Sequence, residues 1–526
     1  MLCPSKRTLT ALMTNTAAAP ADNIPVIVAA AQHVERITDA SGTQFSSPMD
    51  LAAHAARAAL IDAQISASEV DAIGVVRLFS DAAKAWASPF GGSNNPPQSV
   101  ARRIGAQPKH RIYSNAGGTQ PLQLLMEACQ SIARGEMDVA LLVGTEAIAN
   151  QRFALKKGYE ADWSEAYDTP LDNREYRKRF AAPQELGSGM SLPVHYYALI
   201  ENLQGHRMGQ NLAAHRQHMA QMMAPFSTIA ASNPHAQFEA SYTPQELTDV
   251  SRANYNIATP YSKRFIAQDA VNQSCALVLT SVGRARELGI HPGQWVFPTA
   301  YAEGQDRYLC ERQDPTRSEA MQRVIEHTLN MAQAQATELD LIDIYSCFPC
   351  AVQAACDVLS LPTDGSVPLT VTGGLPYFGG PGNNYSMHAL AEMAHRLRGS
   401  TARGLVTANG GILSKHAAVV LQNTPAPHAV VDWGQESIYT VEPQDIAAVP
   451  MVATANQGTV LSFTVIDSRD GEDLGIVLAE TSAGARFFAS CVEPATTADM
   501  KITSPIGRAV DVSMTEKRLL FQFTAA

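Results

Sequence analysis

Apolar residues recur in two alternating rhythms along most of this chain. Val26-Ile27-Val28-Ala29-Ala30 is a short unbroken apolar run, as expected of a strand buried on both faces. From Pro48 to Ala63 apolar positions return every three or four residues, with Leu51, Ala55, Ala58 and Ala59 on one side, and predict a helix. Val70 to Val76 predicts a second strand, Arg111 to Asn115 a third, Pro121 to Arg134 a helix, and Val139 to Gly144 another strand. Apolar strands separated by amphipathic helices imply an α/β fold, a parallel sheet covered on both faces with right-handed crossovers.

The pattern returns later. Residues 60–73 and 329–342 align without a gap, and seven of the fourteen positions are identical: Leu60, Ala63, Gln64, Ala67, Glu69, Asp71 and Ile73. Chance gives about one match in such a window at average residue usage. The chain therefore reads as a tandem duplication, with one half at 24–289 and the other at 290–424.

A long segment, 153–268, interrupts the first half and ends on a strand near 271–281. It is polar at first, then helical and rich in methionine and histidine from Pro193 to Pro225. Insertions of this length in α/β units are usually lids or recognition elements. The stripe Met208, Met219, Met222, Met223 suits helix packing. After Asn423-Thr424-Pro425-Ala426-Pro427 the rhythm changes again. Val460 to Val465 and Ala485 to Ser490 are short β-prone runs between turn residues, with no strong helix pattern. They predict a separate all-β barrel or sandwich at 428–526. Residues 1–23 are broken in pattern and read as a disordered leader.

A chain of 526 residues exceeds one compact core and fits about three domains. Its net charge of -11 argues against a nucleic-acid surface, and no apolar run approaches the roughly 20 residues of a membrane span. Eight cysteines scattered over the whole length are no disulfide framework and suit a reducing, cytoplasmic setting. Cys347-Phe348-Pro349-Cys350 has no second pair, so a metal site is not expected and the flanking residues suit buried thiols.

In a duplicated α/β protein ligands collect outside the carboxyl ends of the strands, where the halves meet. Four segments qualify: Asn115-Ala116-Gly117-Gly118-Thr119, Tyr345-Ser346-Cys347-Phe348, the glycine-rich loop from Gly373 to His388, and Ala408-Asn409-Gly410-Gly411-Ile412-Leu413-Ser414-Lys415-His416. The third holds five glycines and two prolines in sixteen residues and runs into a predicted helix from Ala389 to Gly399. Such a loop lets a ligand approach bare backbone, and a helix start offers free N–H groups to an oxyanion; an ordinary connection also favours glycine.

The duplication, the order of these four loops and Asn233-Pro234-His235-Ala236 in the insertion together resemble the thiolase superfamily, most closely its sterol-carrier-protein-2-type and thiolase-like branch, over about residues 24–424. The resemblance implies a duplicated α-β-α-β-α layered core with an inserted lid or loop domain. It also implies a fused C-terminal all-β, OB-like barrel. Coenzyme A or acyl-CoA is the implied substrate, with no permanently bound cofactor, and the implied assembly is a monomer or homodimer.

Members of that superfamily use a nucleophilic cysteine, a histidine or asparagine from an H-D-C-F or N-E-A-F loop, a G-H-P histidine and a C-x-G cysteine. Here the nucleophile position falls on Asn115, the H-D-C-F loop reads Tyr345-Ser346-Cys347-Phe348, the G-H-P triplet reads Gly379-Gly380-Pro381, and the C-x-G cysteine falls near Ala408. Two-step thiolysis through an acyl-enzyme is therefore not expected.

Candidate catalytic groups are then Tyr345, His388, His416 and Asn115, which supply a phenol, a base and amide donors for an enolate. Gly117, Gly118, Cys347, Gly379, Gly380, Asn409 and Gly410 are the candidate substrate-binding positions. The two histidines also suit core roles and Tyr345 a packing role. Lys156, Lys157, Arg174, Arg177, Lys178 and Arg179 suit either the phosphates of CoA or a solvated lid face. Three readings stand: an acyl-CoA acyltransferase with shifted catalytic groups, a retro-aldolase on β-hydroxyacyl-CoA using Tyr345, and a non-catalytic acyl-CoA or lipid binder.

Overall fold

The computed structural model describes residues 21–37, 45–174, 180–425, 433, 438–469, 471–515 and 518–524. The leader expected at 1–23 lies almost wholly outside them. The first half builds β1 (Pro25–Val34), α1 (Pro48–Ala63), β2 (Ala72–Val75), α2 (Pro96–Ile104), β3 (His110–Tyr113), α3 (Gln120–Ala133) and β4 (Val139–Ala147). α1 starts where the pattern predicts because Ser47 and Asp50 exchange side-chain-to-backbone bonds in a capping box, with Pro48 at the first helical position.

The insertion contributes α4 (Ile148–Lys157), β5 (Asp172–Asn173), α5 (Pro183–Gly187), α6 (Pro193–Arg207), α7 (Leu212–Ser232), α8 (Pro244–Thr248), β6 (Asn256–Ala258) and β7 (Tyr261–Ser262). Of the methionine stripe, Met219, Met222 and Met223 are buried, whereas Met208 is exposed just past the end of α6. The chain then returns to the first sheet as β8 (Asn272–Ser281), antiparallel to both β1 and β4, and leaves by α9 (Val282–Glu287).

The second half builds β9 (Phe297–Gln305), α10 (Glu319–Met331), β10 (Leu341–Asp343), α11 (Pro349–Leu359), α12 (Tyr385–Leu397), β11 (Arg403–Gly410) and β12 (Lys415–Gln422). The sheets run β1-β8-β4-β2-β3-β5 and β10-β11-β12-β9, the latter extended by β13 (Thr440–Val441) on the edge of β9. The halves correspond strand for strand, except that the second leaves its third strand unmade. Residues 369–372 take that place, where Ile344 N donates to Leu369 O (3.0 Å).

The sequence repeat is a structural repeat. Gln64 and Gln333 each close a helix in the left-handed region, at φ 57° and 49°. One 3₁₀ turn follows each, at residues 67–69 and 336–338. Asp71 then accepts from Val139 N, and Asp340 from Arg403 N, each tying the start of a neighbouring strand.

α3 and α12 lie between the two sheets and touch both, while α1 and α2 cover one outer face and α10, with α11 beside it, covers the other. The layers are thus α-β-α-β-α. α12 is buried continuously from Tyr385 to Ala391, as a central-layer helix must be. It begins four residues before the expected start, so His388 stands inside its first turns and not in the glycine loop.

The C-terminal strands β14 (Gln457–Ile466), β15 (Leu474–Glu480), β16 (Arg486–Cys491), β17 (Ala509–Met514) and β18 (Leu519–Phe523) close in the order β14-β15-β16-β18-β17-β14. β16 and β18 are its parallel pair. This five-stranded barrel has its own core of Phe463, Val465, Val477, Phe487, Val510 and Phe521. One element differs from expectation: α13 (Pro494–Met500) bridges β16 and β17. At seven residues it is too short for helical periodicity to show. The barrel is joined to the insertion through β6, where Ala258 pairs with Ile466. Asn202 of α6 also donates to the carbonyls of Thr259 and Phe463 at 2.8 Å.

Candidate functional site

Asp343, at the carboxyl end of β10, fixes the start of the glycine-rich loop. It is fully buried and accepts from Thr370 Oγ1, Val371 N and Thr372 N (2.8, 2.9 and 3.2 Å), and Tyr385 of α12 closes on it from the other end. From there the loop crosses to the first half. Asn383 takes Gly117 N on its Oδ1 (2.9 Å) and gives its Nδ2 to Arg77 O (2.8 Å). Ser386, in the first turn of α12, donates to Gly118 O (2.7 Å), and Lys415 Nζ donates to Ala116 O (3.2 Å). Asn115–Thr119, the Tyr345 segment, the glycine loop and the Asn409–Lys415 turn therefore meet between the halves.

Tyr345 stands at the centre. Its ring meets Tyr385 edge to face (5.4 Å, 86°), and its hydroxyl lies against Gly118. A Cβ on Gly118 would stand 2.4 Å from both the Tyr345 hydroxyl oxygen and the Asn409 carbonyl oxygen. Gly410 adjoins the same strip, a Cβ there being 3.2 Å from Gly118 N. We expect Gly118→Ala to push Tyr345 and the Asn409 backbone aside and to weaken ligand binding at least tenfold with little change in the barrel, a contrast that titration calorimetry and a crystal structure would read. Burial drives the Tyr345 hydroxyl above the ordinary tyrosine range. It is a neutral phenol at physiological pH, a donor rather than a base. No described residue accepts its proton.

Asn409, the penultimate residue of β11, directs its Nδ2 to the Tyr197 hydroxyl (2.9 Å) and toward Cys347 Sγ (3.5 Å). Its Oδ1 is buried without a partner among the described residues. Tyr197, from α6 of the insertion, accepts from Leu413 N (2.9 Å) and stacks on Phe348 (4.2 Å). Burial raises the Cys347 thiol to about 12. The other six described cysteines are shifted upward for the same first cause, so none is a thiolate at neutral pH.

The other sequence candidates make no hydrogen bond to Tyr345 among the described residues. Asn115 is half-buried and folds its Oδ1 back to Ala116 N (2.8 Å). Gly379 packs on β8, where a Cβ on it would meet Gln273 Oε1 at 2.5 Å, and Gly380 N donates to Gln268 O (2.8 Å) at the end of the insertion. His388 lies on the opposite side of α12 from Ser386, its Nδ1 paired with Gln32 Oε1 (2.7 Å) and its Nε2 buried without a partner among the described residues. Burial lowers it to about 3. His416 lies beneath the turn, its Nε2 within reach of Ser318 Oγ (2.9 Å) and Leu413 O (3.1 Å), and burial lowers it to about 4. Both imidazoles are neutral at physiological pH.

Of the cationic cluster, Arg174 is tied to Glu127 and Asp172 and Lys156 and Lys157 are exposed on α4, while residues 177–179 lie outside the described residues.

Sequence reasoning did not single out Arg77, Asn383, Ser386, Tyr197 or Glu146. Asn383 and Ser386 belong to the glycine loop, whose polar members bridge the halves. Nothing local marks Tyr197, which reaches the site only because the insertion folds over it. Glu146, at the end of β4, packs its carboxyl on Gly382 and accepts from Phe79 N (2.7 Å). Burial raises it to about 8.

No protein-family model matches the sequence, and no curated protein matches it either. Solved structures do. The Ltp2-ChsH2(DUF35) aldolase is similar over 76% of this chain and 98% of its own, with 18% identity and a TM-score of 0.55. The Acat5 thiolase of Ascaris suum in complex with coenzyme A is similar over 76% and 99%, with 13% identity and a TM-score of 0.55. Both likenesses are of fold. The monomeric SCP2-thiolase-like protein type 1 of Mycobacterium smegmatis covers 96% of this chain and 100% of its own, with 30% identity and a TM-score of 0.79. At that identity over nearly the full length of both chains, the protein described here belongs to the SCP2-thiolase-like proteins of the thiolase superfamily.

Proposed function

We propose that the cleft between the halves takes an acyl-CoA thioester and acts on it without an acyl-enzyme intermediate, Tyr345 donating a hydrogen bond to the thioester carbonyl oxygen as negative charge develops there. The observation that carries this reading is the Tyr345 hydroxyl: neutral, without an internal acceptor, and set against Gly118 where four loops converge. A covalent route has no support, since each described cysteine is a buried thiol. The fold likeness to a thiolase solved with coenzyme A supports the ligand class.

The reaction class favoured is retro-aldol cleavage of a β-hydroxyacyl-CoA. Solvent water takes the proton of the β-hydroxyl, the Cα–Cβ bond breaks, an aldehyde or ketone departs, and the thioester enolate takes a proton back from water at Cα. A phenol that stabilises the enolate serves this step, and no cysteine is required. The fold likeness to the Ltp2-ChsH2(DUF35) aldolase points the same way.

Purified protein incubated with acetoacetyl-CoA and CoA is expected to form no acetyl-CoA, whereas a β-hydroxyacyl-CoA releases a carbonyl compound. Tyr345→Phe should slow that release by about 10²–10³-fold, the usual loss for one oxyanion donor. Acetyl-CoA formation would restore the acyltransferase reading. Acyl-CoA binding without turnover, unchanged in Tyr345→Phe, would make the protein a binder.

The setting proposed is cytoplasmic, where seven unpaired buried cysteines stay reduced. Among the described residues no helix is long and apolar enough to cross a membrane. The open edge of β3 is where a second copy would add strands, and β5 occupies part of it, pairing Ile112 with Asp172 and Tyr113 with Asn173. Sedimentation is expected to show a monomer.

A further inference from the structure

We infer that the C-terminal barrel positions the acyl-CoA site through Arg486 and Arg312, which clamp the strained turn between β11 and β12. The inference extends the proposed site but stands on contacts of its own.

The turn runs from Gly411 to Ser414, and its third residue, Leu413, is fully buried at φ 50°, in the left-handed region that a branched side chain adopts only at a cost. Such a conformation persists only where its surroundings hold it. Here three side chains do so. The Tyr197 hydroxyl accepts from Leu413 N, His416 Nε2 faces Leu413 O, and Arg312 donates its Nη2 to Ile412 O. The turn in turn fixes Asn409, whose carbonyl abuts Gly118 and whose amide meets Tyr197.

Arg312 is buried, and its place is set from the barrel. Arg486, on β16, sends its guanidinium out of the barrel wall to the carbonyls of Cys310, Arg312 and Gln313. It too is buried, and its planar fork spreads donors over two nitrogens in a fixed geometry that a single ammonium nitrogen does not offer. From the other side Glu185 accepts from Cys310 N (2.9 Å) and Asp306 N donates to Ser414 O (2.7 Å). The route from β16 to Asn409 is therefore one continuous line of buried polar contacts, and from Asn409 to Tyr345 it passes through van der Waals contact at Gly118. Arg486 and Arg312 touch no substrate position and are positioning residues.

Hydrogen exchange of the full chain tests this without any ligand. In Arg486→Met the amides of residues 411–415 are expected to exchange about tenfold faster, while those of β4 and β8 are unchanged. Arg486→Lys should recover most of the melting temperature yet leave the turn exposed, because a compact ammonium lacks the rigid planar fork whose Nη1 and Nη2 reach separate carbonyls. Ser490→Ala, which removes another barrel-to-core bond (Ser490 Oγ to Ser188 O, 2.8 Å), should leave the turn protected. Protection that tracks melting temperature across all three variants, or a turn unmoved in Arg486→Met, overturns the inference. Acyl-CoA affinity should fall with turn protection. A wild-type chain that binds no acyl-CoA would defeat the proposed function alone and leave the exchange result to decide this point.

Discussion

Glu201→Ala is expected to lower the stability of the protein by about 3–5 kcal/mol, because it leaves three buried polar partners unsatisfied at roughly 1–3 kcal/mol each. Glu201 projects from α6 and is 1% exposed. One carboxylate oxygen meets His215 Nε2 of α7 at 2.6 Å; the other accepts from the Tyr261 hydroxyl (2.6 Å) and from Cys350 N at the start of α11 (2.8 Å). Alanine would strand an imidazole, a phenol and a backbone amide in a space from which water is excluded. Glu201→Gln keeps an acceptor oxygen and should lose less. The cluster ties two insertion helices to the helix that follows Tyr345, so the same variant should also speed exchange in α6 and α7. A loss below about 1 kcal/mol in denaturant titration would show that the carboxylate is not the tie between these layers.

The second large effect concerns pH and has two opposing parts. His388 and His416 are held near 3 and 4 by burial, below the ordinary 6.5. The unfolded chain therefore binds protons there that the folded chain refuses, and stability falls as pH drops through 6.5. Between pH 7.5 and 5 the two together cost about 4 kcal/mol. Glu146 acts the other way. Burial lifts it to about 8 from 4.5, so the folded chain keeps a proton that the unfolded chain releases, and stability falls as pH rises through that window. Acidification over the same range returns about 3 kcal/mol from this group. Glu146→Gln removes the compensation, and its acid-induced loss should exceed that of the wild type by about that amount. Superimposable pH profiles of unfolding for the two proteins would refute the compensation.

Local sequence carried much of the architecture. α1 was legible to the residue because its cap, proline and apolar spacing agree. The duplication was legible because the turn after each first helix needs the same left-handed residue and the same anchoring aspartate, and those survive as Gln64, Gln333, Asp71 and Asp340. The barrel showed through its short β-prone runs. The start of α12 was less legible: Asn383-Asn384 reads as a continuing turn, yet burial between two sheets extends the helix back to Tyr385.

The site shows where such reading stops. Gly118, Tyr345, Asn409 and Gly410 come from separate segments that adjoin in space. The histidines differ, because two positions along a helix separate Ser386, which faces Gly118, from His388, which faces Gln32. No spacing rule says which face a central helix turns to the cleft. Tyr197, Arg312 and Arg486 gain their roles from how the insertion and the barrel close over the core, which is tertiary information with no local trace.

The third strand that the second half never forms has a consequence for how the two copies divide their labour. Equal twins, each with a complete sheet, would have no chain to spare. By leaving one rung out, the later copy frees the stretch from Gly373 to Asn384 to reach its sibling, while the earlier copy stays whole and serves as the frame. Symmetry was given up on one side only, and that is the side whose loop reaches across to the candidate site.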